Sequence, residues 1–117
     1  MQDFRNLDVW KKAHNFTLKI YQVTETFPKI ETFGLAAMLR KGSSQIAMKI
    51  AEGCGQGTDG ALASCLKQAR GMGVEVEYQL LLSRDLQFIE ADSYQVLQDQ
   101  LIEVRRMLSG LMKAVPV

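Results

Sequence analysis

The side chains of this chain equipped for chemistry are few, and their spacing works against most reactions. Cys54 and Cys65 are its two thiols and His14 its one imidazole. A cysteine nucleophile needs a base or a positive field to draw off its proton. Cys54 sits in a glycine-rich stretch with no histidine placed to activate it, which leaves a small space-filling thiol. In an antiparallel hairpin turning near Gln56, Cys65 lies level with Ala47, two turns from Cys54, so a disulfide is not expected. Di-iron bundles draw ligands from Glu-x-x-His pairs, and His14 has no glutamate three residues before it. No metal is expected. Gly53, Gly55 and Gly57 invite comparison with a phosphate loop, but such a loop follows a strand and carries Lys-Ser/Thr. This run closes a helix and carries neither. No catalytic residue and no cofactor emerge, and the chain reads as a non-enzyme.

Charged residues suggest two further roles. With the hairpin turning near Gln56, Arg40 falls level with Met72, about one turn from Arg70 and from Glu75 or Glu77. Glu77 and Arg70, seven residues apart, share a helix face. Arg40, Glu52, Arg70, Glu75 and Glu77 are therefore expected to form a polar cluster. It would hold a ligand or partner, or, as the simpler reading, fix helix pairing and register through ion pairs. Glu52 near a helix C-terminus opposes the helix dipole, and Lys49 is placed to answer it. Lys11, Lys12 and Lys19 lie on the outer side of the first helix, and Arg105 and Arg106 lie midway along the last. These five are the candidate contacts to nucleic acid, against the plainer reading of a solvated surface. With a formal charge of +1, the chain exerts no overall pull on polyanions.

The elements that must position these groups are helices. At 117 residues, 47% of them hydrophobic, the chain suits one domain, residues 1–117, with a core that needs no disulfide or metal. No apolar run approaches a membrane span and the N-terminus lacks a signal-peptide core, so a cytoplasmic protein with no membrane contact is expected. Apolar residues recur at three- and four-residue spacing from about Leu7 to Thr26, where Pro28 stops the helix. A second helix follows from about Thr32 to Gly53, with an inner stripe at Leu35, Leu39, Gly42, Ile46 and Ile50. The third begins with Thr58 or Asp59 as N-cap and runs to about Arg84, burying Leu62, Leu66, Ala69, Gly73, Val76 and Leu80. The fourth spans roughly Ala91 to Ala114 on a seam of Tyr94, Leu97, Leu101, Val104, Leu108 and Leu111. Short turns between long helices make neighbours antiparallel, so the fold is all-α, an antiparallel up-down-up-down four-helix bundle. Gly42 and Gly73 are expected to let the second and third helices approach closely.

The chain also has apolar residues to spare. Leu80, Leu81 and Leu82 point about 100° apart and cannot all face one core. Val74, Tyr78, Ile102, Met107 and Met112 lie off the seams. Self-association would bury this surplus, with Leu81, Leu82, Met107 and Met112 as the expected interface.

Five segments, in order, resemble one family. LDVWKKA (Leu7–Ala13), IYQVTETFPKIETFGL (Ile20–Leu35), IAEGCGQG (Ile50–Gly57), ARGMGVEVEYQL (Ala69–Leu80) and RMLSGLMKA (Arg106–Ala114) are similar to the 23S ribosomal-RNA intervening-sequence proteins. These are small bacterial four-helix bundles, many encoded in insertions within large-subunit rRNA genes. They are similar in fold to the accessory variability proteins of diversity-generating retroelements. The resemblance implies a homo-oligomer, a ring-shaped pentamer, acting as a scaffold for RNA, DNA or a nucleic-acid enzyme. The sequence departs from the family at Ala47 and Lys49, at Met72 and Gly73, and at Gln56, Gly57 and Gly60, where the family's loop is basic. The alternative is a structural or protein-interaction module with no nucleic-acid contact.

Overall fold

Proline, glycine and a few capping side chains set where each helix starts and stops. The computed structural model describes residues 3–116. A single 3-10 turn, Phe4–Asn6, is capped by the Asp3 carboxylate, which accepts from the Arg5 amide at 3.0 Å. Helix α1, Asp8–Thr24, then buries Val9, Ala13, Phe16, Thr17, Ile20 and Thr24. It ends two residues before the expected Thr26. Just past its end Phe27 turns inward and meets Phe88 in a tilted ring contact, centroids 5.5 Å apart. Helix α2, Leu35–Gly55, starts three residues later than expected, because Lys29–Glu31 forms its own 3-10 turn. The cap is Glu31, whose carboxylate accepts from the Leu35 amide at 3.0 Å.

Gly57, at φ 88°, makes the turn into helix α3, Asp59–Asp85, where a side chain would be strained. Thr58 is the N-cap, its hydroxyl accepting from the Ala61 amide at 3.2 Å. Helix α3 closes in a Schellman motif. The Phe88 amide donates to the Ser83 carbonyl at 2.9 Å and the Gln87 amide to the Arg84 carbonyl at 2.9 Å. Gln87 takes the left-handed position, φ 64°, that glycine usually fills. Helix α4, Ala91–Ala114, completes the fold.

Each helix packs on two neighbours, in the cycle α1–α2–α3–α4 and back to α1, and no described backbone approaches closely across the diagonals. Directions follow from paired contacts. Thr17 meets Ser43 while Arg40 meets Thr24, so α1 and α2 are antiparallel. The contacts Gly42 to Val76 and Gly53 to Cys65, Glu77 to Arg105 and Arg84 to Tyr94 do the same for the next two seams. The result is the expected four-helix bundle, 44 × 23 × 20 Å, around Phe16, Ile20, Leu39, Ile46, Ile50, Leu66, Leu80, Leu97, Leu101 and Leu108. No described helix is long and apolar enough to cross a membrane.

Two expectations need correction. Cys65 lies against Gly53 and not level with Ala47, because α2 continues to Gly55 and moves the turning point toward Gly57. Both cysteines are nevertheless free and buried. The two glycines also serve different seams. A Cβ on Gly42 would come within 2.7 Å of Val76 on α3, whereas one on Gly73 would meet the Arg105 stem of α4 at 3.2 Å.

Candidate functional site

The polar chemistry gathers along the outer groove between α3 and α4. Gly73 leaves α3 bare at one level, so the methylene stem of Arg105 lies across it. The Arg105 guanidinium then donates through Nη1 to Glu77 Oε1 at 2.8 Å, and Gln98 donates to Glu77 Oε2 at 3.1 Å. This bridge is half-buried and joins the two helices. One residue on, Arg106 turns outward and forks onto Glu103, three residues back on the same helix, at 3.0 and 2.6 Å. That hydrogen bond pulls the Glu103 carboxyl below its usual range and raises the Arg106 guanidinium, and the charge of Lys12 adds to the effect on Glu103. Arg70 on α3, with Ile102, Arg105, Arg106 and Ser109, lines a shallow groove of about 280 Å³. Arg70 is exposed and makes no ion pair with a described residue.

The expected cluster of five is thereby divided. Arg40 does not reach α3. It donates from Nε to Thr24 Oγ1 at 2.8 Å and from Nη2 to the Tyr21 carbonyl at 3.4 Å, its guanidinium 4.9 Å from the Tyr21 ring. The cause is helix geometry: Gly42 faces α3, and Arg40, two residues away, is turned about 200° from it. Glu52 takes Lys49 at 3.1 Å and lies 3.7 Å from the Cys65 thiol. Glu75 is exposed beside Met38, Lys41 and Met72 in the α2–α3 groove. Glu77 belongs to Arg105, so the seam bridged by an ion pair is α3–α4.

The basic candidates are dispersed. Arg105 and Arg106 each have a carboxylate. Lys11 and Lys12 are exposed and Lys19 is half-buried, all on α1. Lys12 borders Asn15, Asp99, Gln100 and Glu103, an acidic neighbourhood between α1 and α4. Neither thiol is tuned for attack. Burial, then the charge of Asp3, pushes the Cys54 thiol up, and burial, then Glu52, pushes up Cys65.

The apolar surplus is also redistributed. Leu82, Met107 and Met112 pack against the core and Leu81 is half-buried, so the bundle uses more of the off-seam surface than the heptads foretell. Val74, Tyr78 and Ile102 remain exposed on α3 and α4, with Met38 and Met48 on α2. The most exposed apolar side chains are two that helical periodicity passes over: Ile30 at 88% and Phe33 at 95%, in the connection after Pro28. Their signal was two large apolar residues in a short segment that no helix claims. At the same end of the bundle, Val23, Phe88, Ile89, Gln87, Arg84 and Glu90 border an open cavity of about 770 Å³.

Comparison with known proteins agrees with this architecture. The family model described as 23S rRNA-intervening sequence protein matches residues 5–110. Among solved structures, a protein of unknown function from the S23 ribosomal protein family of Bacteroides thetaiotaomicron superposes with a TM-score of 0.83 at 19% identity. The match covers 90% of this chain and 95% of that one. Among curated proteins, none matches.

Proposed function

The chain belongs to the family of 23S rRNA-intervening sequence proteins, and on that premise we propose that it is a non-enzymatic helical scaffold that works as a homo-oligomer. The observation that carries this reading is the set of large apolar side chains left in water after the core is filled, above all Phe33, Ile30 and Tyr78. Ile30 and Phe33 lie within one short turn, and exposed apolar surface gathered in this way marks interaction sites; a second copy is the partner always at hand. Five subunits in a ring is the number the family resemblance implies. Light scattering after size exclusion at micromolar concentration tests it. A pentamer is the expected mass, a dimer keeps self-association and discards the ring, and a monomer overturns the reading.

A second reading, association of the scaffold with RNA or DNA, is favoured by the α3–α4 groove, where three arginines converge. Two of them already hold carboxylates, so binding is expected to be weak, sequence-independent and strongly salt-dependent. Repetition around an oligomer adds avidity. Titrating a labelled single-stranded RNA at several salt concentrations tests it. Reversing charge at Arg70 and Arg106 should weaken binding and flatten the salt dependence. Binding indifferent to salt or to those changes leaves the protein-interaction module.

A further inference from the structure

Two features at one end of the bundle complement each other, and the chain satisfies neither by itself. The first is a knob. Ile30 and Phe33 stand almost wholly in water, yet the backbone beneath them is fixed. The Glu31 amide donates to the Pro28 carbonyl at 2.8 Å, the Thr32 amide to Lys29 at 3.1 Å and the Gly34 amide to Glu31 at 3.0 Å. The Glu31 side chain anchors the far end to Leu35. A hydrogen-bonded turn thus presents two bare apolar side chains, with little ordering left to lose on docking.

The second feature is the cavity between the last turn of α1 and the α3–α4 turn. Val23, Phe88, Ile89 and Ala91 give it an apolar floor, and Thr26, Arg84, Gln87 and Glu90 are among its polar borders. Neither Ile30 nor Phe33 of the same chain lines it.

We propose that Ile30 and Phe33 of one copy dock in this cavity on a second copy of the chain. The inference rests on the self-association reading above and names its contact. Charge supports the pairing: Lys29 at the base of the knob and Glu90 at the cavity are both exposed and neither has an ion pair among the described residues, whereas Arg84, the cation that also lines the cavity, already pairs with Asp85 at 3.0 Å. Docking brings opposite charges together and disfavours other approaches. Position supports it too. The knob lies on the α1–α2 connection and the cavity on the α1–α4 flank, both at one end of the bundle. A rotation with little shift along the bundle axis therefore carries one onto the other, the condition for a closed ring over a filament. Every copy gives one knob and receives one, so closure leaves none exposed.

Complementation tests the contact. Phe33→Asp removes the knob and keeps the cavity; Ala91→Trp blocks the cavity and keeps the knob. Each variant alone should run at monomer mass with helical circular dichroism retained. A one-to-one mixture should recover a species of twice that mass, because one intact knob then meets one intact cavity. A Phe33→Asp protein that still assembles like the parent overturns the docking and leaves self-association standing. Variants that stay monomeric when mixed overturn it as well, and a monomeric parent overturns both. A charge swap reads the same contact without touching the apolar groups. Lys29→Glu and Glu90→Lys should each shift the parent toward smaller species, and the double variant should restore the parent mass. Failure of that restoration counts against the pairing.

Discussion

Helix α3 has two seams, and they hold it by opposite means. Toward α2 the contact is made by absent side chains: Gly42 lies where a Cβ would strike Val76, and Gly53 where one would meet Cys65 and Leu62 at 3.0 Å. Toward α4 a glycine is used differently, because Gly73 is roofed by Arg105, whose charged end continues to Glu77. The first seam presses against a β-branched side chain with no exposure; the second leans on a flexible stem. Close approach against stiff neighbours fixes the distance between two helices. A long polar side chain fixes which faces meet but leaves room to adjust. The α2–α3 seam is thus the rigid spine, and the α3–α4 seam is the face with chemistry left over for a partner.

The same substitution on the two seams separates these mechanisms most sharply. Gly42→Leu forces bulk against Val76 and should cost about 3 kcal/mol, the upper end of ordinary overpacking, lowering the melting temperature by ~10 °C. Gly73→Leu displaces the Arg105 stem, which can swing outward, and should cost about 1 kcal/mol after the gain in helix propensity. Thermal melts of the pair decide it. Equal losses would erase the distinction between a stiff seam and an adjustable one.

The sequence makes the helices easier to read than the seams between them. Periodicity located all four helices, Thr58 announced the start of α3, and Pro28 placed the end of α1 to within two residues. The expected start of α2 at about Thr32 is three residues early, because Lys29–Glu31 forms its own turn and the Glu31 carboxylate receives the Leu35 amide. Register failed for a geometric reason. Counting outward from Gln56 assigned Arg40 to α3, and only the direction of α2's faces shows that it belongs to α1. Composition points rightly to surplus apolar residues, of which Val74, Tyr78 and Ile102 stay outside while others are partly buried. Leu82, Met107 and Met112 fold inward because the core is wider than a heptad seam. Ile30 and Phe33 were passed over because a connection has no period to read.

A second, smaller effect concerns the bridge itself. Arg105→Ala leaves Glu77 half-buried with Gln98 as its remaining partner, which should cost about 1 kcal/mol. A double-mutant cycle with Glu77→Gln isolates the pair, and a coupling of about 0.5–1 kcal/mol is expected. Repeating the cycle on Gly73→Leu sharpens the comparison of seams. If leucine pushes the stem aside, the coupling should fall toward zero. A coupling unchanged by the leucine would show that the bridge does not depend on the bare patch at Gly73.

The smallest expected effect lies at the outer edge of the same face. Glu103 is held below the usual carboxylate range first by its hydrogen bond to Arg106, so the folded form binds its proton less readily than the unfolded chain. Stability therefore rises with pH through this group. Its contribution is complete above the ordinary glutamate value of about 4.3 and is lost as pH falls through the lower folded value. The pair is exposed and within one helix, so the contribution is small and fades in salt. Chemical denaturation of Glu103→Gln and parent, compared at neutral pH and at about pH 2 in low salt, reads it directly. The parent should be slightly the more stable at neutral pH, and the gap should close in acid. A gap that widens in acid would mean that Arg106 is better off without its carboxylate. The arginine would then be a free cation of the groove, as open to a phosphate as Arg70.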